Sequence, residues 1–280
     1  MAGALYIVPT PIGNLEDITL RALRVLKEVD LIAAEDTRHT QHLLNHFGIT
    51  TALTSYHEHN EKEKAGKLVE RIKAGATIAL VSDAGTPAIA DPGFRLIETA
   101  IAANVAIVPL PGAAALLTVL SASGLPTDRF FFAGFLPAKK SARAAKLSAL
   151  SEQSATLVFY EAPHRLRETL SDLLRLLGDR QIVVGREVSK LHEEFLRGTV
   201  SEVAARLASR ELKGEITIVI HGASAPSAVS RAELSSAIER LASGGAGVKQ
   251  VADMLSERYR LPRREAYRMV LESKHRREPK

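Results

Sequence analysis

Through roughly its first 110 residues the chain alternates short apolar runs with amphipathic stretches. Leu5-Tyr6-Ile7-Val8 stops at Pro9-Thr10-Pro11-Ile12-Gly13-Asn14, the pattern of a strand ending in a Gly/Pro loop. Leu20, Leu23, Val25, Leu26 and Val29 then recur at helical spacing and predict a helix over 18–29. Residues 31–34 predict a strand, 37–47 a helix stopped by Gly48, 61–73 a helix and 77–82 a strand. After Asp83-Ala84-Gly85-Thr86-Pro87 come a helix over 92–103 and a strand over 106–108, which runs into Pro109-Leu110-Pro111-Gly112. Such alternation predicts a parallel-rich α/β sheet.

The pattern changes after Gly124. Strands are predicted at 130–132, 156–160, 181–187, 195–200 and 215–220, and helices at 139–150 and 164–177. Residues 195–199 can pair with 183–185 as a hairpin, so this half reads as mixed α/β, richer in antiparallel strands. A small-residue stretch separates it from three predicted helices at 231–242, 248–259 and 263–274. Val248, Val251, Ala252 and Leu255 make one apolar stripe, and Ala266, Met269 and Val270 another, as in a helix-turn-helix type of bundle. The expected division is an N-terminal α/β domain over 1–112, a second mixed α/β domain over 113–222, a linker over 223–230 and a basic helical domain over 231–280.

Composition narrows the chemistry. The 280 residues are enough for two domains and an appendage, and 46% hydrophobic with 25% charged residues is ordinary for a globular protein. There is no cysteine, which rules out disulfides, thiolate-bound zinc, iron–sulfur clusters and thiol nucleophiles. No apolar run approaches the length of a membrane span, and no basic segment precedes the first apolar run, so a cytoplasmic protein without a membrane partner is expected. The 37 Lys and Arg outnumber the 32 Asp and Glu by five, and Pro226 to Lys280 holds twelve of the former and seven of the latter. The whole net charge therefore sits in the last fifth of the chain. A polyanion partner and a solvated Arg-rich surface both account for it.

The sequence lacks G-x-G-x-x-G after the first strand, a P-loop and a G-x-S-x-G elbow, so nicotinamide, P-loop nucleotide and serine-hydrolase sites are unsupported. His39, His42 and His46 share a predicted helix, but no Glu follows His42 as in H-E-x-x-H; they read as a polar face, and no metal is expected. His57 and His59 stand two apart in a wet or substrate-facing loop. The loops after three strands carry Gly13, Gly85 and Gly112, where a backbone can approach a ligand closely, and Asp83 and Asp91 bracket one of them. Glu35-Asp36-Thr37-Arg38 ends another strand, with Asp36 a good helix cap and also a candidate for catalysis.

Taken in order, Leu5 to Asn14, Ala34-Glu35-Asp36-Thr37-Arg38, Ser82 to Pro87, Pro109-Leu110-Pro111-Gly112-Ala113, Phe159-Tyr160-Glu161-Ala162-Pro163-His164-Arg165 and Lys213-Gly214-Glu215-Ile216-Thr217 resemble the tetrapyrrole-methylase family. Those are S-adenosylmethionine enzymes, and the resemblance runs from about Leu5 to Ile220. Relatives that build corrinoids or sirohaem tend to carry a Gly-x-Gly-Pro-Gly type of first loop, whereas this chain has Thr10-Pro11-Ile12-Gly13, which points to the RNA-modifying branch.

The resemblance implies an α/β, two-domain tetrapyrrole-methylase-like fold with a cofactor cleft between the domains and a small C-terminal helical domain. It implies a homodimer that methylates the 2′-hydroxyl of a cytidine in the decoding region of 16S rRNA, a tetrapyrrole or other small-molecule acceptor being the alternative. For the cofactor it implies Pro11, Gly13, Asp83, Ala84, Gly85, Pro87, Ala113, Ala114, Tyr160, Gly214, Glu215 and Thr217. Candidates for polarising the acceptor hydroxyl are Asp36, His57 and Glu161, with Lys190 stabilising the alkoxide. Arg38 and Arg165, with Arg258, Arg260, Arg263, Arg264 and Arg268 of the tail, are expected on RNA phosphates, and Lys139, Lys140, Arg143 and Lys146 form a second basic patch.

Overall fold

The computed structural model describes residues 3–223, 231–243, 246–259 and 262–275. The chain divides into two compact units, Met1–Gly222 and Ala223–Lys280.

In the first unit β1 (Ala4–Ile7) is followed by α1 (Leu20–Glu28), whose first turn is capped by the Thr19 hydroxyl accepting from the Ala22 N–H at 3.0 Å. Then come β2 (Leu31–Ala34), α2 (Thr37–His46), β3 (Leu53–Ser55), α3 (Glu61–Lys73), β4 (Thr77–Val81), α4 (Phe94–Ala102) and β5 (Ala106–Pro109). The five strands form an all-parallel sheet in the order β3-β2-β4-β1-β5. A parallel sheet is covered on both faces, which is why β2 is a continuous apolar run. Leu5, Leu31, Ile78 and Leu80 pack under α3 and α4, while Ile32, Ala34, Ala79 and Val81 pack under α1 and α2. The chain leaves β1 toward β2 and leaves β4 toward β5 in opposite directions. The carboxyl ends of the neighbours β1 and β4 are therefore the switch point where such sheets take ligands.

The second half of this unit runs α5 (Ala115–Ser123), β6 (Phe130–Phe135), α6 (Lys140–Ala149), β7 (Thr156–Glu161), α7 (Leu166–Leu177), β8 (Gln181–Arg186), β9 (Glu194–Thr199), α8 (Val200–Leu207) and β10 (Ile216–Ile220). Its sheet has the order β6-β7-β10-β8-β9, with β6–β7 parallel and the other pairs antiparallel. The expected hairpin is present, with Gly185 opposite Phe195. One face carries α6, α7 and α8 through Leu147, Leu170, Leu173 and Val203; the other carries α5 through Leu116, Val119 and Leu120.

Three elements were not predicted. β3 is only three residues long, α5 is apolar nearly all round, and α8 follows directly on a strand. Thr199 and Glu202 nevertheless form a capping box that marks the start of α8 in the sequence.

The second unit comprises α9 (Arg231–Ser243), α10 (Val248–Tyr259) and α11 (Arg263–His275) around Leu234, Ile238, Val251, Leu255, Ala266 and Val270. Both predicted stripes contribute to that core. Most of the expected linker, and Arg260, lie outside the described residues. Among the described residues no helix is long and apolar enough to cross a membrane.

Candidate active site

The loops after β1 and β4 are tied together at the switch point. Thr10 and Gly85 exchange backbone hydrogen bonds at 2.9 and 3.0 Å, and the Thr10 hydroxyl donates to the Ser82 carbonyl at 3.0 Å. Gly85 sits at φ +86°, a left-handed conformation in which any side chain would be strained. Two cavities open beside this junction.

The first, about 410 Å³, lies between the two sheets. Asp83, Ala84, Gly85, Thr86 and Asp91 line it from the loop after β4, Glu35 from the end of β2, and Ala114 and Ala115 from the start of α5. Phe135, Tyr160, Glu161, Gly214, Glu215 and Thr217 form the opposite wall. The Tyr160 ring is set edge-on to Phe132 and Phe135, at 5.0 and 5.5 Å between centroids, and its oxygen accepts from the Leu116 N–H at 3.3 Å. The lining is acidic. Burial pushes the Asp91 carboxyl up to about 6, with the charges of Glu35, Asp83 and Glu215 adding to it against a hydrogen bond from Ser82. Burial and the charge of Asp83 likewise push Glu35 up.

The second cavity, about 360 Å³, is lined by Thr10, Pro11, Gly13 and Leu15 after β1, by His39, Thr40, His42, Leu43 and His46 on one face of α2, and by Lys190. Ile12, Asp83, Ala84 and Glu215 belong to both cavities. Gly13 is required where it stands, because a Cβ there would run into the Lys190 side chain. The Lys190 ammonium lies 3.0 Å from Glu187 Oε1 and 3.3 Å from Glu215 Oε2. Burial pushes that ammonium down, but the hydrogen bond to Glu187 and the charge of Glu215 outweigh it, so the group is held above its ordinary value and stays protonated.

Most of the expected cofactor residues therefore meet in the first cavity, while Pro11 and Gly13 line the second. Pro87 and Ala113 line neither; the Ala113 carbonyl accepts from the Thr86 hydroxyl at 3.0 Å and so braces the loop after β4. Of the expected catalytic groups, Asp36 and His57 also line neither cavity. Asp36 caps α2 and binds Arg38, whose side-chain and backbone N–H groups hold the carboxyl down at about 2. His57 belongs to the turn before α3, where its N–H donates to Asn60 Oδ1 at 3.0 Å. Glu161 reaches the cavity wall with both oxygens already engaged: Arg165 at 2.6 Å and the Ala162 N–H at 2.8 Å on one, the Thr169 hydroxyl at 2.6 Å on the other. A carboxylate so engaged holds the wall rather than polarising a ligand hydroxyl.

The expected RNA contacts divide in the same way. Arg165 is committed to Glu161 and the Leu136 carbonyl, and of the second basic patch Lys139 and Lys140 stay exposed while Arg143 and Lys146 are engaged within the protein. Arg143 is buried on Asp172 and Glu168, and the Lys146 ammonium donates to the Ala133 carbonyl. In the second unit Arg263 makes a two-pronged pair with Asp253 at 2.6 and 2.8 Å, Arg268 lies 4.0 Å from Glu272, and Arg258 stacks over Tyr259 at 5.8 Å. Arg264 is exposed, as is Arg38 beyond its pair with Asp36. Residues that the sequence left without a role, Glu35, Asp91 and the α2 histidines, are placed on the cavity walls. Among the described residues no group of His, Asp and Glu converges as a metal set.

The first cavity suits one kind of ligand. Glu161 is neutralised by Arg165, and the other four carboxylates, Glu35, Asp83, Asp91 and Glu215, favour a cation, while Ile12, Ile89, Phe135 and Ile216 favour an apolar ring. S-adenosylmethionine carries a sulfonium and an ammonium, an adenine and a carboxylate, so these residues fit it. The family model described as Tetrapyrrole (Corrin/Porphyrin) Methylases matches residues 4–204. The chain belongs to this family. Among tetrapyrrole methylases it is 53% identical to ribosomal RNA small subunit methyltransferase I of Halalkalibacterium halodurans, over 79% of this chain and 76% of that one. It is 47% identical to the protein of the same name from Synechocystis, over 96% of this chain and 98% of that one. Two solved methyltransferases share the fold of this chain. The methyltransferase CobJ aligns at TM-score 0.59 and 18% identity, over 79% of this chain and 95% of CobJ. Uroporphyrin-III C-methyltransferase of Thermus thermophilus, complexed with S-adenosylhomocysteine, aligns at TM-score 0.55 and 22% identity, over 78% of this chain and 97% of that one.

Proposed function

We propose that this chain methylates the 2′-hydroxyl of a cytidine in 16S rRNA of the small ribosomal subunit, with S-adenosylmethionine as methyl donor. The observation that carries this reading is the pair of cavities with a shared wall, one acidic and matched to the donor, the other bearing histidines and a lysine. The small-subunit rRNA methyltransferases among the relatives supply the substrate class. When bound, S-adenosylmethionine supplies an electrophilic methyl group on a sulfonium, so the protein has to align the acceptor oxygen and manage one proton.

Asp83, Asp91 and Glu35 hold the cationic end of the donor, Gly85 lets the backbone approach it, Gly214 leaves room for the Glu187 side chain, and Tyr160 braces the start of α5. Asp83 lies on the shared wall; one oxygen accepts from the Asp36 N–H at 3.0 Å, and the other is placed to take the acceptor's proton. Lys190, held protonated on the second cavity, offsets the negative charge that develops on the acceptor oxygen and does not serve as the base. Transfer of labelled methyl to unmodified small subunits, followed by nuclease digestion, is expected to yield 2′-O-methylcytidine. Label in any other nucleoside, or none, overturns the reading.

The tail remains the anchor for RNA phosphates in this reading. A protein ending at Gly222 is expected to keep its donor affinity within twofold and to lose at least tenfold in affinity for the small subunit at moderate salt, checked by filter binding across a salt series. A homodimer in this reading pairs through β6, an edge strand whose Phe130, Phe131 and Phe135 are 42%, 43% and 53% exposed. Phe131→Glu is expected to give a monomer in sedimentation equilibrium.

A further inference from the structure

The two cavities sort charge. Glu35, Asp83, Asp91, Glu161 and Glu215 all line the first, which is hostile to a phosphate. In the second, the two carboxylates belong to the shared wall, and the rest of the lining has none: His39, His42 and His46 project from α2, with Lys190 across from them. The histidines stand three and four residues apart, so one helix face presents all of them. Leu15 and Leu43 add flat apolar surface. Thr40, at the buried edge of α2 where it lines the same cavity, is only 2% exposed and its hydroxyl has no hydrogen-bond partner among the described residues. A buried hydroxyl with no partner costs free energy unless something pairs with it.

We infer that the α2 cavity is the seat of the acceptor nucleotide, with Thr40, His42 and His46 its positioning residues. This rests on the reading of the chain as an rRNA ribose methyltransferase. The nucleotide enters ribose first. Its 2′-oxygen reaches the wall formed by Ile12, Asp83, Ala84 and Glu215, which is the only part of the α2 cavity shared with the donor. The base and phosphate then lie back along α2, where imidazoles stack on the base or donate to phosphate oxygens and Lys190 adds a cation. The Thr40 hydroxyl gains the partner it lacks. A single-stranded or extruded nucleotide is required, because a paired base cannot enter a cavity of about 360 Å³.

The full chain with Thr40→Val tests this, because valine keeps the shape and removes a hydroxyl that pairs with none of the described residues, leaving the fold undisturbed. His42→Ala is the second variant. Each is expected to raise KM for unmodified small subunits about tenfold while S-adenosylhomocysteine binding, measured by calorimetry, stays within twofold. Independently of activity, a short cytidine-bearing single-stranded RNA added to the wild-type protein with S-adenosylhomocysteine is expected to shift the ring resonances of His39, His42 and His46 together and saturably. Unmoved rings, or an unchanged KM in both variants, overturn the inference. If the wild-type protein transfers no methyl to rRNA, the proposed function fails, and the ring titration alone still decides whether the α2 cavity holds a nucleotide.

Discussion

Replacing Arg143 with methionine is expected to cost about 3–5 kcal/mol of stability, among the largest losses available in this chain. The side chain is 1% exposed; its Nε donates to Asp172 Oδ2 at 2.8 Å and its Nη2 to Glu168 at 3.1 Å. Asp172 is itself 4% exposed and also paired with Arg175 at 2.7 Å. Burial pushes Asp172 up, but the hydrogen bonds from Arg175 and Arg143 outweigh it, so the carboxyl is held below its ordinary value. Methionine would fill the space and leave the carboxylate half-paired, which is the expensive outcome. A double variant, Arg143→Met with Asp172→Leu, is expected to recover most of the loss, because removing both charges removes the desolvation cost as well. The urea midpoints of the single and double variants check this. In the wild type the stability from this pair is present above the unfolded carboxylate range and disappears as pH falls through the depressed value of the folded Asp172.

The second large effect is on catalysis. Asp83→Asn is expected to weaken S-adenosylmethionine about tenfold, to leave S-adenosylhomocysteine within threefold, and to lower kcat by about 10²–10⁴. The asymmetry follows from charge: with Asp83 beside the sulfonium, its loss removes an attraction that the neutral thioether of the product never had, while the ammonium common to donor and product stays with Glu35 and Asp91. Calorimetry with both ligands and single-turnover transfer separate the two parts of the prediction. The same cavity predicts a pH dependence for the wild type. Asp91, near 6, and Glu35, raised, lose their charge as pH falls, so affinity should drop through that range for the donor and, to a smaller degree, for the product, which keeps the ammonium but not the sulfonium. For folding the sign is opposite. Carboxyls raised by burial contribute stability that is fully present below their unfolded values and lost as pH rises through the folded ones, which donor binding then offsets.

Much of this fold could be read from spacing alone. β2 and the helices α3 and α10 fall where periodicity places them, because each is long or uniformly apolar enough to declare itself. α5 escapes that reading, since Ala115 to Ser123 is apolar on faces that the second sheet covers and on Leu117, which is 51% exposed. The strand-end loops also announce the site: Asp83 to Gly85 and Gly214 to Thr217 lie where glycines and strand ends predict a ligand. What spacing cannot give is which charges are already spent. Arg143 and Arg165 look like phosphate ligands until Asp172 and Glu161 are brought to them from 29 residues and four residues away. Asp91 only brackets a loop and Glu35 only ends a strand until the fold brings their carboxyls together on one cavity wall, and Thr40 looks like an ordinary helical threonine until its hydroxyl is found without a partner among the described residues.

Glu215 stands on the wall that the two cavities share and also holds Lys190. A cation arriving on one side competes with Lys190 for that carboxylate, and a phosphate arriving on the other competes with the carboxylate for Lys190. Occupancy on one side thus changes the electrostatics of the other, and the two affinities are coupled through the Lys190–Glu215 ion pair, with Glu187 keeping its own hold on Lys190. Whatever factor the methyl donor imposes on the grip for RNA, the RNA must return to the methyl donor, by thermodynamic necessity. One carboxylate thereby ties the two affinities to each other, whichever partner arrives first.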